Sequence, residues 1–221
     1  MAIKRIFGLA LLALLCSCRG AAPEKLENGD LIFVGIRMDY SLDHDSMDNA
    51  IASATGDGGG LNLIHAAIVE VDRDGAQWII DATIKRGVDR HPLDTFLRDF
   101  TLRDGSLPVF EVKRLKDTTG VAGFVKKART FLGESYNSSF VPTPGAHYCT
   151  ELIRDSYVPE GGSPLFDEAP MNFHAPDGSM PVYWEQLFAL LGMEVPQGVP
   201  GTNPQDMSRS PLLTAVTICV P

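Results

Sequence analysis

The sequence predicts an α+β domain, and three observations predict it. Two β-like apolar runs, "LIHAAIVEV" (63–71) and "AQWIIDATI" (76–84), flank the turn "DRDG" (72–75), a strong hairpin signal. The stretch "GVAGFVKKARTFLG" (120–133) carries apolar residues at helical spacing. A second helical pattern opens at "HYCTELI" (147–153). Neighbouring antiparallel strands followed by separate helices point to helices packed on an antiparallel sheet.

The remaining elements follow in chain order. "DLIFVG" (30–35) reads as a short apolar strand after the turn Asn28-Gly29. "DSMDNAIASAT" (45–55) places Met47, Ala50, Ile51 and Ala54 at helical spacing, with Asp45 or Ser46 as the cap. "GDGGG" (56–60) is a flexible breaker. Pro92 to Phe100 reads as a short helix with proline in its first turn, and "LPVFEVKRL" (107–115) as another strand. In the long helix Val121, Phe124, Val125, Ala128 and Phe131 share one side, and Gly133 ends it. The helix from Cys149 turns Leu152, Ile153 and Tyr157 inward, and "VYWEQLFALLG" (182–192) is a late helix. The Pro/Gly-rich stretches Pro159 to Met180 and Val195 to Pro211 read as ordered loops capping the domain or its cleft.

The N-terminus reads as an export signal: Lys4 and Arg5, then an apolar run from Ile6 to Leu15, shorter than the roughly 20 residues that span a bilayer. Leu15-Cys16-Ser17-Cys18 resembles a bacterial lipobox, so residues 1–17 would be a lipoprotein signal, Cys18 the lipidated residue and 18–28 a tether. An ordinary signal peptide cut near Ala21 or Ala22 is the alternative. Roughly 200 residues then remain, which suits one domain with a real core. Losing Lys4 and Arg5 takes the formal charge from −9 to −11, which excludes nucleic acid as a partner and adhesion to anionic lipid by charge. Any membrane contact would come through the lipid on Cys18.

Two further cysteines remain, and a disulfide between them is open in an oxidising compartment. Cys219 reads as a small buried hydrophobe in a C-terminal strand. Cys149 stands in the first turn of a helix, where free backbone N–H groups and the positive end of the helix dipole favour thiolate over thiol. A structural cysteine packing the helix start is the competing reading. A nucleophilic thiolate wants an imidazole. His44 and His174 lie in polar, turn-like surroundings; His91, before Pro92, suits a surface or capping role; His147 is two residues from Cys149 but turned elsewhere. His65 sits inside an apolar strand, where an unpartnered imidazole would be costly. It is either the base or a satisfied core histidine. Asp81, one hairpin away, is placed to orient it across adjacent strands, or else serves a turn. Glu70 is five residues from His65 and so faces the other side of the sheet.

"NGDLIFVG", "IHAAIVEV" followed by "WIIDAT" and "GVDRHPLDTFL", then "ARTFLGESYNSSF" and "HYCTELI" occur in that order from Gly29 to Tyr157, and with "GTNP" in the tail. This order resembles the YiiX/YebB-like permuted papain-fold cysteine hydrolases of the NlpC superfamily. The resemblance implies a circularly permuted papain-like (NlpC-type) fold over 29–221, an antiparallel sheet or small barrel packed against helices. Histidine and acid precede the cysteine, the reverse of ordinary papain-like enzymes. It implies Cys149 as nucleophile, His65 as general base and Asp81 as the orienting residue, one methylene shorter than the glutamate often found there. Tyr148 and Glu151 match a Tyr-Cys-Ser-Glu pattern in which Thr150 replaces serine, and Tyr136 matches a tyrosine after the Gly-containing turn. Tyr148, Tyr136 and Glu151 are thus the pocket candidates, with Glu151 also contributing to the helix start.

The implied chemistry is acyl transfer. Cys149 attacks a carbonyl carbon, backbone N–H groups at the helix start hold the oxyanion, and His65 protonates the leaving amine and later activates water. No cofactor and no metal is expected. An exported, lipid-tethered amidase in a Gram-negative envelope would meet peptidoglycan stem peptides, as NlpC-type endopeptidases do. Permuted relatives such as lecithin retinol acyltransferase act on lipid acyl groups, so a lipid amide or ester is the rival substrate. A polar cleft would favour the peptide; an apolar groove, built from Phe140, Phe166 and Phe173, would favour the lipid. Two other classes stay open: an inactive lipoprotein binding module, and a metal site using Cys149, His147 and His65 or His91. For the metal site, C-x-H spacing without CxxC or HExxH is a weak signal.

Overall fold

The computed structural model describes residues 24–37, 46–56, 60–102 and 104–218. Cys16, Cys18, His44, Asp45, most of the glycine breaker and Cys219 lie outside them, and with them the readings of export, lipidation and a C-terminal cysteine.

Six antiparallel strands form the main sheet: β1 (Leu31–Arg37), β2 (Leu61–Val71), β3 (Gln77–Thr83), β4 (Gly87–Pro92), β5 (Val109–Leu115) and β10 (Leu213–Val216). Their order across the sheet is β10-β5-β1-β2-β3-β4. Both faces are covered, which is why the central strands read as almost unbroken apolar runs. On one face Leu31, Phe33, Ala66, Ile68, Ile80 and Ala82 pack under α3 (Val121–Ala128) and α4 (Cys149–Ser156). On the other, Ile32, Val34, Ala67, Val69 and Ile79 pack under Phe96 and Leu97 of α2 (Leu93–Asp99). A third cluster joins α1 (Met47–Thr55) to α5 (Val182–Leu191) through Ala50, Phe140, Tyr148, Met171, Phe173, Trp184 and Phe188. Short pairs complete the chain: parallel β6 (Ser135–Tyr136) with β7 (Ala146–His147), and antiparallel β8 (Ala169–Pro170) with β9 (Pro200–Gly201), followed by α6 (Pro204–Ser208).

Most of these elements follow from local signals. Ser46 caps α1, its Oγ accepting the Asn49 N–H at 3.3 Å. Four of the five apolar residues assigned to one side of the long helix are buried in α3, while Phe131 is half-buried in a 3₁₀ turn after it. Three expectations need correction. The helix after His91 starts at Leu93, and Pro92 closes an additional strand, β4, in the stretch "GVDRHP". His91 is therefore a buried strand residue and not a surface cap. The expected tether 18–28 is folded over its last part, because Arg114 draws it onto the sheet. The guanidinium donates to Glu27 Oε1 at 2.8 Å, to Lys25 O at 2.9 Å and to both carboxylate oxygens of buried Asp30.

Gly87 fixes where β4 begins. Its φ is +66°, and a Cβ there would stand 2.2 Å from the Glu134 carbonyl oxygen, the acceptor of the Val88 N–H. We expect Gly87→Ala to lower unfolding stability by about 2–4 kcal/mol through backbone strain and the clash. Urea denaturation measures this; a loss under 1 kcal/mol would show that β4 is not pinned at this contact.

Candidate active site

β2 carries His65 and is irregular next to it. Val34 of β1 pairs with His65 and Gly35 with Leu63, so Ile64 is the extra residue of a bulge. A bulge turns the strand locally and re-aims the side chains beside it. β3 runs antiparallel with Ile68 opposite Ile80, which brings Asp81 diagonally across from His65. The two side chains meet: His65 Nε2 lies 2.8 Å from Asp81 Oδ2, with Asp81 1% exposed. Glu70 is on the opposite side, taken by Arg90 Nε at 2.7 Å and Arg129 Nε at 3.0 Å.

Cys149 is the first residue of α4, is buried, and lies close enough to His65 to favour its protonated form. With Nε2 engaged by Asp81, Nδ1 is the ring nitrogen left to face the thiol. Burial, the largest single effect, would push the His65 pKa down. The hydrogen bonds to Asp81 and Cys149 and their negative charges outweigh it, raising the pKa from its ordinary 6.5 to about 10. His65 therefore holds a proton at neutral pH, the state that pairs with a thiolate and can protonate a leaving amine. The N–H groups of the first helical turn have no intrahelical acceptor and are available to an oxyanion beside Cys149.

Two networks hold the start of α4. Glu151 accepts the Tyr148 N–H at 3.1 Å and the Asn137 side-chain N–H at 3.0 Å. Asn137 also donates to Val141 O at 2.9 Å and accepts from Ser139, fixing the turn that carries Phe140. On the other side the Thr202 N–H donates to Tyr148 Oη at 3.0 Å, and the Thr202 hydroxyl donates to Thr150 Oγ1 at 2.8 Å. Burial pushes the Tyr148 pKa up to about 12, against the opposing pull of its Thr202 hydrogen bonds, so the hydroxyl stays neutral.

A slot of about 50 Å³ opens over Cys149, with room for roughly four water-sized groups. Tyr136, Phe140, Tyr148, Met171, Phe173 and Trp184 form its apolar wall. Of the pocket candidates, Tyr136 and Tyr148 line it. Glu151 does not: its carboxylate is spent on capping the helix. Phe166 packs elsewhere, in the core cluster under α3 and α4. Tyr136 stays neutral, its pKa raised by burial first and then by the charge of Cys149. His147, despite lying two residues from Cys149, faces away, its Nδ1 2.7 Å from Glu134 and its Nε2 3.4 Å from Asp155. The ligand set Cys149, His147 and His65 or His91 is thus not assembled. His174 is half-buried in the loop before α5.

Sequence reasoning missed four residues here. Asp48 of α1 is close enough to attract His65; burial raises its pKa and that attraction lowers it in part. Asn137 had no signal beyond its polarity. Thr202 stands in the "GTNP" segment, which the resemblance did flag. His91 is buried on β4, a strand with no apolar run of its own, so no local signal marked it as inward.

Comparison with known proteins decides the family. Residues 25–217 match the family model described as "Permuted papain-like amidase enzyme, YaeF/YiiX, C92 family". The chain belongs to this family. It is accordingly a hydrolase of the papain-like amidase type, in the permuted order the resemblance implied. Among solved structures, the "metalloprotein yiiX from Escherichia coli O157:H7" superposes with a TM-score of 0.64 at 22% identity, over 88% of this chain and 98% of that one. At that identity the match speaks for the fold. No curated protein matches the sequence. Among the described residues no group of three or more His, Cys, Asp or Glu side chains is placed to hold a metal ion.

The raised pKa of His65 has a testable consequence. Unfolded, the imidazole releases its proton near 6.5; folded, near 10. Its contribution to stability is complete below 6.5 and is lost as the pH rises through about 10. Cys149→Ala removes two of the raising interactions, so the His65 titration midpoint, followed by NMR of the ring protons, should fall. An unchanged midpoint would mean that the thiol does not interact with the imidazole.

Proposed function

We propose that Cys149 is the nucleophile, His65 the general acid and base, and Asp81 the group that orients His65, in a hydrolase that cleaves an amide or ester with an apolar acyl portion. The observation that carries the substrate class is the apolar wall of the slot over Cys149, with Phe140 and Phe173 in it and no charged side chain lining it. A lipid amide or ester matches that wall, because transferring an apolar group from water into it is favourable, while Thr55, Asn172, Thr202 and Asn203 at the slot offer partners to the polar amide or ester group.

The sequence of steps follows from the positions of the groups. Cys149 Sγ attacks the carbonyl carbon, and the developing oxyanion is held by the N–H groups at the start of α4. The proton on His65 passes to the departing amine or alcohol, leaving a thioester to Cys149. His65, now neutral, takes a proton from water as its oxygen attacks the thioester; the acid is released and the thiolate–imidazolium pair returns. Asp81 keeps the imidazole in the orientation and tautomer that serve both steps.

A second reading, cleavage of a cell-wall stem peptide, is favoured by Asp48. A carboxylate close to His65 could pair with a substrate ammonium group. Lipidation at Cys18 would hold the domain at a membrane of the cell envelope, a location that suits both substrates.

The test is mass-spectrometric product analysis against a panel of lipid amides and esters and of muropeptides. Cleavage of the apolar acyl substrates, abolished in Cys149→Ala with the fold intact by circular dichroism, is the expected result. Turnover that survives in a clean preparation of Cys149→Ala would refute the nucleophile. Cleavage of muropeptides alone, weakened by Asp48→Asn, would select the second reading. Phe173→Ala should lower kcat/KM for the apolar substrate by about 2 kcal/mol, roughly thirtyfold, by removing part of the wall. An unchanged value would mean that the acyl group lies elsewhere.

A further inference from the structure

Beside Asp81 lies a second cavity of about 200 Å³, which neither Cys149 nor His65 lines. Asp81, His91, Arg86, Asp99, Phe96 and Phe100 are among its walls. Three buried polar atoms there have no hydrogen-bond partner within the chain: Asp81 Oδ1 and both ring nitrogens of His91. Groups buried this deeply normally find partners, since leaving one unmade costs more than a hydrogen bond contributes. His91 is 6% exposed and sits on β4, where it pairs with Ile79 and so shares a sheet face with Asp81. Its Nδ1 is 3.9 Å from Asp81 Oδ1 and 3.5 Å from Asp89 Oδ2. The first separation is too long for a direct hydrogen bond and short enough for one water to span.

The charged groups around His91 have partners of their own. Arg86 is paired with Asp99 and lies 3.7 Å from Asp89, and Lys85 lies 3.7 Å from Asp99. His91 is held flat by Phe96, the rings 24° apart, and Phe96 and Phe100 also pack on His65. The ring of Phe96 thus packs against both histidines, while Phe100 packs against His65 alone.

We propose that His91 is a positioning residue: through an ordered water in this cavity it donates to Asp81 Oδ1, fixing the carboxylate so that Oδ2 keeps its bond to His65. The inference rests on the reading of Cys149, His65 and Asp81 as the catalytic set. His91 touches neither the thiol nor the substrate slot, and it acts on the reaction only through Asp81 and then His65. Without it, the buried Oδ1 has no partner to oppose a turn of the carboxylate, and the imidazole loses its fixed orientation.

The experiment measures the rate at which iodoacetamide alkylates Cys149 at neutral pH in the full chain, read on the Cys149 peptide by mass spectrometry. This probe needs no knowledge of the substrate. His91→Phe keeps the ring stacking and removes the donor; His91→Asn restores a donor near the position of Nδ1. Asp81→Asn reports on the catalytic set itself. His91→Phe should slow alkylation about tenfold, the loss of one hydrogen bond, and His91→Asn should recover most of the rate. A normal rate in His91→Phe, with Asp81→Asn slow, would overturn the role of His91 and leave the catalytic set standing. Equal slowing in both His91 variants, with melting temperatures unchanged, would also overturn it, since packing alone would then explain the effect. A normal rate in Asp81→Asn would remove the catalytic reading and this inference together.

Discussion

The buried pair of His65 and Asp81 is the interaction around which the domain is organised. An imidazolium and a carboxylate 2.8 Å apart attract strongly out of water, but each loses its hydration on burial, and such a pair persists only where geometry is good and the surroundings hold it. The sheet supplies that geometry at a place where its regularity breaks. The bulge at Ile64 turns the His65 side chain, the diagonal register brings Asp81 to it, and α2 lays Phe96 and Phe100 over the ring. With Asp81 engaged at Nε2, Nδ1 is the ring nitrogen left for Cys149. A pair at this depth explains why a charged dyad can sit inside the most apolar strands of the chain.

Cys149 is held by a different part of the molecule. α4 packs its apolar side, Leu152 and Ile153, into the sheet core, which fixes the helix axis. Its first turn is fixed separately, by Glu151 and Asn137 on one side and by Tyr148, Thr150 and Thr202 on the other. These are buried polar contacts, more directional than apolar packing, and they involve segments far apart in sequence. The position of the thiol relative to the imidazole is therefore set by the docking of the Thr202 loop as much as by the sheet.

The same networks shape the slot. Asn137 ties the helix cap to the turn carrying Phe140, whose φ of 55° is unusual for a residue with a side chain. Aromatic packing offsets that strain: Phe140 meets Tyr148 at 5.2 Å and Trp184 edge-on at 5.4 Å, and Phe173 meets Trp184 edge-on at 5.2 Å. Polar groups position Cys149 and the start of α4 while an interlocked set of rings forms the wall beside them.

The sequence by itself determined what local spacing can carry. The hairpin around "DRDG", the face of α3, the Ser46 cap and the start of α4 at Cys149 are each specified within a few residues, where turn chemistry and helical period act. The triad candidates were legible too, because a histidine and an aspartate inside apolar strands are costly enough to demand a partner. What tertiary structure alone decided depends on contacts between distant segments. β4 is made a strand by its pairing with β3 and by the Gly87 contact to Glu134, and no apolar run of its own announces it. His91 reads as a capping residue locally and becomes a buried neighbour of Asp81 only when that strand is laid down. Glu151 reads locally as part of the helix start and does cap it, but that its carboxylate is kept out of the slot depends on Asn137, which arrives from 14 residues away to take it as well. The apolar character of the slot came from the docking of α1, α5 and the loop before β9 onto the Cys149 helix. Long-range docking of that kind leaves no periodic trace in a single chain.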